Sequence, residues 1–398
     1  MQAWKPATTL RVYIIPINSN LSPAKSFVAF LEQTKLICYN LLYKTVNLHP
    51  ISEGSFIMFF LNRILAIFTA VITLISSFLG IGLNKDTTKV DDFKVTAYIR
   101  GDYVQNPDNL YPEDFDIITH VILFECASFD NEGNVIIDEN KLETALINIR
   151  NAIGNRDVNI TLNLLGPRGI TDSTDWNEQM EAQSDEHNKA FTSGILENNI
   201  IAVLEKYDFD GVHFDYEYPI SLKAWHYYNS FLVSMDKALG DSYTLGVAGS
   251  SWNLKFTSAA IEAIDTFELM SYDFNDAEGK HATFDDTIAQ LDDVALHGIP
   301  NHKVNIGLPF YSRPTDLSGY WYGYNGCYND IDENGWYHCP DTGKDFWFNT
   351  PDVIMAKTEY AINNGYGGVM IWHYNCDLPS THEDSLHRAI NTAINNNY

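Results

Sequence analysis

Eight short, apolar, β-rich runs, amphipathic segments between them, and acidic or aromatic residues closing several of the runs together predict an α/β protein, a (β/α)8 TIM barrel. The runs are KVTAYI from Lys94, ITHVILF from Ile118, VNITLNLL from Val158, FDGVHF from Phe209, YTLGVAG from Tyr243, FELMSY from Phe267, KVNIGLPF from Lys303 and GGVMIWHY from Gly367. Near-continuous apolar strands alternating with helices predict parallel pairing in a sheet buried on both faces. Eight such units in about 305 residues fit a closed barrel. A doubly wound open sheet is the alternative, but no Gly-rich phosphate loop follows the first run.

The connecting segments read as helices where apolar residues recur at helical spacing, as in LETALINIRNAI from Leu142, GILENNIIAVLEKY from Gly194, DDTIAQLDDVAL from Asp285 and PDVIMAKTEYAI from Pro351. Thr350, Pro351 and Asp352 form a helix start, and Gly298 sits where a helix ends. One segment is irregular. Residues 312–349, between the seventh and eighth strands, are longer than an ordinary loop and dense in Tyr, Trp and Phe.

Upstream of the barrel, ILAIFTAVITLISSFLGIGL at 64–83 carries no charge and is long enough to span a bilayer. Basic residues outnumber acids before it, which leaves the N-terminus cytoplasmic and the barrel exported. Two readings stand: a type II membrane anchor, or a secretory signal starting at Met58 and cleaved after Ser77 or Gly82. The second is preferred, because 1–57 shows no sustained periodicity. The expected organisation is thus an N-terminal segment 1–57, a signal or anchor at 58–83, a linker at 84–93 and the barrel at 94–398.

The full sequence of 398 residues holds 25 basic against 52 acidic residues, a formal charge of -27. Such a surface repels nucleic acid and anionic membranes and favours neutral or cationic partners. Of five cysteines, Cys327 and Cys339 bracket the irregular segment, and in an exported protein they are expected to form a disulfide. Zinc is the weaker alternative, since the spacing is not C-x-x-C and His338 is a loose third ligand. Cys126 and Cys376 end apolar runs and read as buried thiols.

The fourth run continues as DFDGVHFDYEYP, Asp208 to Pro219, and raises the chemical question. Period-two alternation puts His213, Asp215 and Glu217 on one face. Carboxyls held so close cannot both ionise freely, and one pKa rises toward neutrality. A proton donor beside a second carboxyl suits glycosidic bond cleavage, with Glu217, nearer the strand end, as the donor. In that light the aromatic segment 312–349 doubles as a wall of ring faces for sugars.

Here the residues resemble a known family. DGVHFDYEYP, Asp210 to Pro219, resembles the DGxDxDxE signature of glycoside hydrolase family 18, and its EYP ending resembles the chitinases of that family. TAYI at 96, THVILF at 119, MSYDF at 270, GLPFYSR at 307 and GGVMIWHYNCD at 367 resemble its first, second, sixth, seventh and eighth strands. The resemblance covers roughly residues 91–395. It implies retaining, substrate-assisted hydrolysis of β-linked N-acetylglucosamine polymers, chitin or chitooligosaccharides, without metal or cofactor. Glu217 matches the acid that protonates the glycosidic oxygen, and Asp215 the neighbour that steadies the acetamido group. Tyr272 matches the hydroxyl that holds this group, Met270 and Asp273 substrate contacts beside it, and Trp372 the aromatic floor. Tyr98, Tyr311 and Arg313 match cleft-lining positions.

Departures from the family pattern matter. His213 stands where the family has the first Asp of DxDxE, and Glu125 stands at an apolar position of strand two; the two are expected to face each other inside the barrel as a substitute charge pair. LLGPRG at 164–169 lacks the tryptophan of the GGW that often ends strand three, and YDFNDAEG lacks the Trp common after strand six. A shallower groove follows. The alternatives are an endo-β-N-acetylglucosaminidase acting on glycoprotein glycans or peptidoglycan, and a chitin-binding lectin without catalysis.

Overall fold

The computed structural model describes residues 93–397. The expected segments 1–57 and 58–83, and the linker 84–93 apart from Phe93, lie outside the described residues. Among the described residues no helix is long and apolar enough to cross a membrane.

Eight parallel strands close into a barrel. They are β1 (Lys94–Arg100), β2 (His120–Phe124), β3 (Asn159–Leu164), β4 (Gly211–Phe214), β5 (Thr244–Gly249), β6 (Thr266–Leu269), β7 (Val304–Pro309) and β8 (Gly368–Trp372). Each pairs with its neighbours in sequence, and β1 closes the ring against β8. All eight coincide with the apolar runs. Between them run helices α1 (Glu139–Ile153), α2 (Trp176–Phe191), α3 (Leu196–Tyr207), α4 (Leu222–Leu239), α5 (Ser258–Ala263), α6 (Phe284–Leu296) and α7 (Pro351–Asn363), with α8 (Leu386–Asn397) after β8. The helix at Pro351 has Thr350 as its N-cap, and Gly298 follows α6 with φ of 81°.

Side-chain alternation sorts the strands into two faces. Val95, Ala97 and Ile99 of β1, Val121 and Leu123 of β2, Ile160 and Leu162 of β3, and Val304, Ile306 and Leu308 of β7 pack outward into the large core shared with the helices. The interior positions are different. Tyr98, Ile122, Phe124 and Met370 form a small apolar cluster in the upper half of the barrel, against Tyr272 and Trp372. Below it the buried inward residues are polar: Thr96, Asn163, His213, Glu268 and Asn305. Close approaches set two glycines of this frame. A Cβ on Gly211 would meet the Thr244 carbonyl oxygen at 2.4 Å, and one on Gly246 would meet His213 Cδ2 at 2.6 Å.

The segment after β7 is built from two antiparallel pairs, Tyr311–Ser312 with Tyr322–Gly323 and Trp336–His338 with Asp345–Trp347. The disulfide expected here is absent: Cys327 and Cys339 are free thiols, both buried. Cys339 Sγ lies 3.6 Å from the Tyr322 hydroxyl. Ring packing holds the segment instead, with Tyr322 edge-on to Phe346 at 5.1 Å and Tyr337 at 6.1 Å from the same ring. Cys126 and Cys376 are buried free thiols, as expected.

Candidate active site

The C-terminal strand ends converge on a pocket of about 250 Å³. Asp215 and Glu217 enter it from the segment after β4, Met270, Tyr272 and Asp273 from the end of β6, Tyr311 and Arg313 from beyond β7, and Trp372 from the end of β8. Trp372 forms the floor, held edge-on by Tyr98 at 5.2 Å and Phe124 at 5.1 Å. Among the described residues no group of three or more His, Cys, Asp or Glu is arranged to hold a metal.

The segment that carries the two carboxyls is tied down on several sides. Gln183 Nε2 of α2 donates to the Glu217 backbone carbonyl at 2.8 Å, and Asn253 Nδ2 donates to that of Pro219 at 3.1 Å. Between them Tyr216 turns away from the pocket, donates to Ser184 Oγ at 2.9 Å and stacks on His187 with ring centroids 3.9 Å apart. Asp210, just before the strand's start, accepts the Ile160 N–H at 2.7 Å, so this acid of the run is structural.

Burial and the neighbouring Glu217 raise the Asp215 pKa well above the ordinary carboxylate range. Glu217 rises too, by burial first; the Tyr218 hydroxyl opposes the rise and the Asp273 charge adds to it. Protein crowds the Glu217 carboxyl while its side chain stays open to the cleft, and the hydrogen bond with Asp215 also opposes the rise. The two share a hydrogen bond and behave as one proton-holding pair. Asp215 Oδ1 is buried without a protein partner.

Opposite them, Asp273 binds Arg313 through both carboxylate oxygens, with Nη2 to Oδ2 at 2.8 Å, and accepts the Tyr311 hydroxyl. Burial would raise this carboxyl, but the bonds from Arg313 and Tyr311 outweigh it and hold Asp273 below its usual value. The Tyr272 hydroxyl faces Met370 Sδ at 3.8 Å, and burial keeps it protonated.

The expected charge pair between His213 and Glu125 does not form. Alternation points Phe124 into the barrel, and Glu125, with φ of 61°, leaves it to pair with Arg100 at 3.0 Å. His213 is fully enclosed, and burial pushes its pKa down to about 3, so the imidazole is neutral. Nδ1 lies 3.0 Å from Asn163 Oδ1 and 3.5 Å from the Tyr98 hydroxyl, and no bond reaches Asp215. Tyr98, expected at the cleft wall, lies beneath the floor.

Residues that motif reasoning passed over complete the pocket. Arg100, Phe124, Tyr218, Ser250 and Trp321 line it. Tyr218 meets Trp252 at 5.1 Å, and Trp252 meets Trp176 at 6.2 Å, so an aromatic arm runs outward from the pocket. Trp252 and Trp176 are 59% and 46% exposed, too open to serve the core. Trp176 thus stands on the side where a GGW tryptophan was missed in the sequence. Trp321 belongs to the aromatic segment 312–349, whose reading as a wall of ring faces identified its region but not the residue.

A parallel barrel whose mouth sets paired carboxyls over a tryptophan floor has the architecture of a glycoside hydrolase. The model of the family described as glycosyl hydrolases family 18 matches residues 94–377, and the chain belongs to that family. An endochitinase of Manduca sexta is 22% identical over 331 residues, 65% of this chain and 58% of the relative. Chitinase 1 of Aphanocladium album is 24% identical over 238 residues, 46% of this chain and 56% of the relative. The chain therefore spans little more than half the length of these curated relatives. Among solved structures, the chitinase from the chitin utilization locus of Flavobacterium johnsoniae superposes with a TM-score of 0.58 at 21% identity, covering 77% of this chain and 94% of that one. A class V chitinase of Nicotiana tobaccum, solved in complex with NAG4, gives a TM-score of 0.58 at 16% identity over 76% of this chain and 99% of that one. At these identities the likeness is one of fold.

Proposed function

We propose that the chain is an exported hydrolase of β-1,4-linked N-acetylglucosamine polymers, chitin or its oligosaccharides, acting with retention by substrate assistance. The observation that carries this reading is the Asp215–Glu217 pair, raised in proton affinity and facing Tyr272 above the Trp372 ring. Glu217 gives its proton to the glycosidic oxygen as the bond to the anomeric carbon breaks. The carbonyl oxygen of the substrate's own 2-acetamido group closes on that carbon and forms an oxazolinium ion. Asp215 accepts the acetamido N–H at its unpartnered Oδ1 and offsets the developing charge, while Tyr272 donates to the acetamido oxygen. Water then opens the ring at the anomeric carbon and returns a proton to Glu217, so configuration is retained. Export is read from the apolar run at 64–83.

The aromatic arm of Tyr218, Trp252 and Trp176 supports a polymeric substrate, because its ring faces lie beyond the space one sugar fills. The test uses chitotetraose and a high-mannose glycopeptide in parallel. Wild type is expected to cleave the oligosaccharide, with Glu217→Gln slower by about 10²–10⁴-fold. Equal sugar release by the two proteins overturns the reading, and cleavage of the glycopeptide alone moves the substrate to glycoprotein glycans.

A further inference from the structure

Beneath the pocket, on the far side of the His213 ring, a second cavity of about 360 Å³ opens among the N-terminal ends of the strands. Exposed Thr244, Asp265 and His302 stand at its rim, and its inner end reaches His213 and Glu268, each 1% exposed. Gly246, paired in register with His213, lets the cavity reach so far: a Cβ there would lie 2.6 Å from His213 Cδ2 and 2.9 Å from Thr266 Oγ1.

Both inner side chains present a polar atom with no partner in the protein, His213 Nε2 and Glu268 Oε2. Their other polar atoms are engaged. His213 Nδ1 faces Asn163 Oδ1 at 3.0 Å, and Glu268 Oε1 accepts from Asn305 Nδ2 at 2.8 Å. The cavity opens to the surface and carries these unpartnered polar atoms at its inner end, a setting in which water satisfies buried donors and acceptors. The groups facing the His213 ring are Tyr98 from β1, Asn163 from β3 and Glu268 from β6, with Asp215 two residues along its own chain; Lys94, Asp265 and Lys303 stand farther out in the cavity lining. None of these charges bonds to the ring, and burial keeps it neutral.

We propose that the basal cavity is a water-binding chamber that fixes the tautomer of His213, with Nδ1–H donated to Asn163 and a chamber water donating to Nε2. His213 is thereby a positioning residue: it holds Asn163 and Tyr98 in place under Asp215 and Trp372. This rests on the reading that Asp215 and Glu217 perform the chemistry, whereas the tautomer is measured without it.

Nitrogen NMR of the histidine-labelled protein between pH 5 and pH 8 tests the chamber, with Gly246→Ala, which fills its inner end, and Glu268→Gln, which preserves the contact to Asn305, as variants. The expected spectrum has His213 neutral throughout, the proton on Nδ1, an Nε2 resonance that moves in both variants, and an Nδ1 resonance that stays in Glu268→Gln and shifts only in Gly246→Ala, where the added Cβ pushes on the ring. A proton on Nε2, a titration of His213 within that range, or an Nε2 resonance that neither variant moves overturns the chamber. In hydrolysis, Gly246→Ala is expected to lower kcat by about tenfold with KM within about twofold, since the carboxyls are displaced while the sugar contacts stay. Unchanged kcat in Gly246→Ala, with its Nε2 resonance moved, overturns the positioning role. If wild type cleaves no N-acetylglucosamine oligomer, the proposed function fails while the resonances still decide the chamber.

Discussion

Arg313 grips Asp273 through two nitrogens, Nε on one carboxylate oxygen and Nη2 on the other at 2.8 Å, and so fixes a full negative charge across the pocket from Glu217. That charge is one of the causes that raise the Glu217 pKa. Removing it therefore lowers Glu217. Asp273→Asn is expected to shift the alkaline limb of the kcat/KM profile to lower pH, beside any loss of binding. A limb that stays in place, measured on N-acetylglucosamine oligomers, would show that Asp273 acts on the substrate alone.

The carboxyl pair itself sets the shape of that profile. Both members are raised, so the pair keeps its shared proton to higher pH than an ordinary carboxyl. Activity is expected to persist toward neutral pH, to fall on the alkaline side as this proton leaves, and to fall on the acid side as the pair takes up a second one. His213 adds no limb of its own, because it titrates only near pH 3.

Chain length reports on the aromatic arm. Trp252→Ala, at an exposed site, leaves the fold intact and removes the ring that links Tyr218 to Trp176. Its kcat/KM is expected to drop about tenfold on the hexasaccharide, on the order of 1.4 kcal/mol, and far less on the shortest cleaved oligomer. An equal loss on every chain length would place Trp252 outside the sugar path.

Stability rests in part on a site remote from the pocket. Asp377 Oδ2 accepts His387 Nδ1 at 2.7 Å, His387 N–H at 2.8 Å and Ser385 Oγ at 2.9 Å, while Oδ1 accepts the Leu386 N–H at 3.0 Å. Both side chains of the pair are buried. Burial alone would lower His387, but the Asp377 carboxylate outweighs it and the pKa is raised above 6.5. The contribution of this pair is therefore complete below about pH 6.5 and is lost as pH climbs through the raised value. Asp377→Ala is expected to cost about 3 kcal/mol in denaturant unfolding at pH 6, and less at pH 9.

Much of this molecule is legible in one dimension. The eight strands follow from apolar runs bounded by turn and helix signals, and Asp215, Glu217, Tyr272 and Trp372 stand at run ends because a parallel barrel gathers strand ends at one mouth. Residues that meet only across the fold were not legible. Trp176 and Trp252 lie 76 positions apart in sequence yet form one wall, and neither sits in a motif.

The sequence by itself determined the barrel, the family and the carboxyl pair, since alternation and spacing along one strand specify which side chains share a face. The tertiary structure alone decided the fate of the substitution at His213. A charge at 213 is excluded by enclosure, Glu125 is carried to Arg100 by a left-handed backbone turn, and the room for a neutral imidazole comes from Gly246 on the next strand. Those outcomes depend on desolvation and on contacts between strands, which no local pattern encodes.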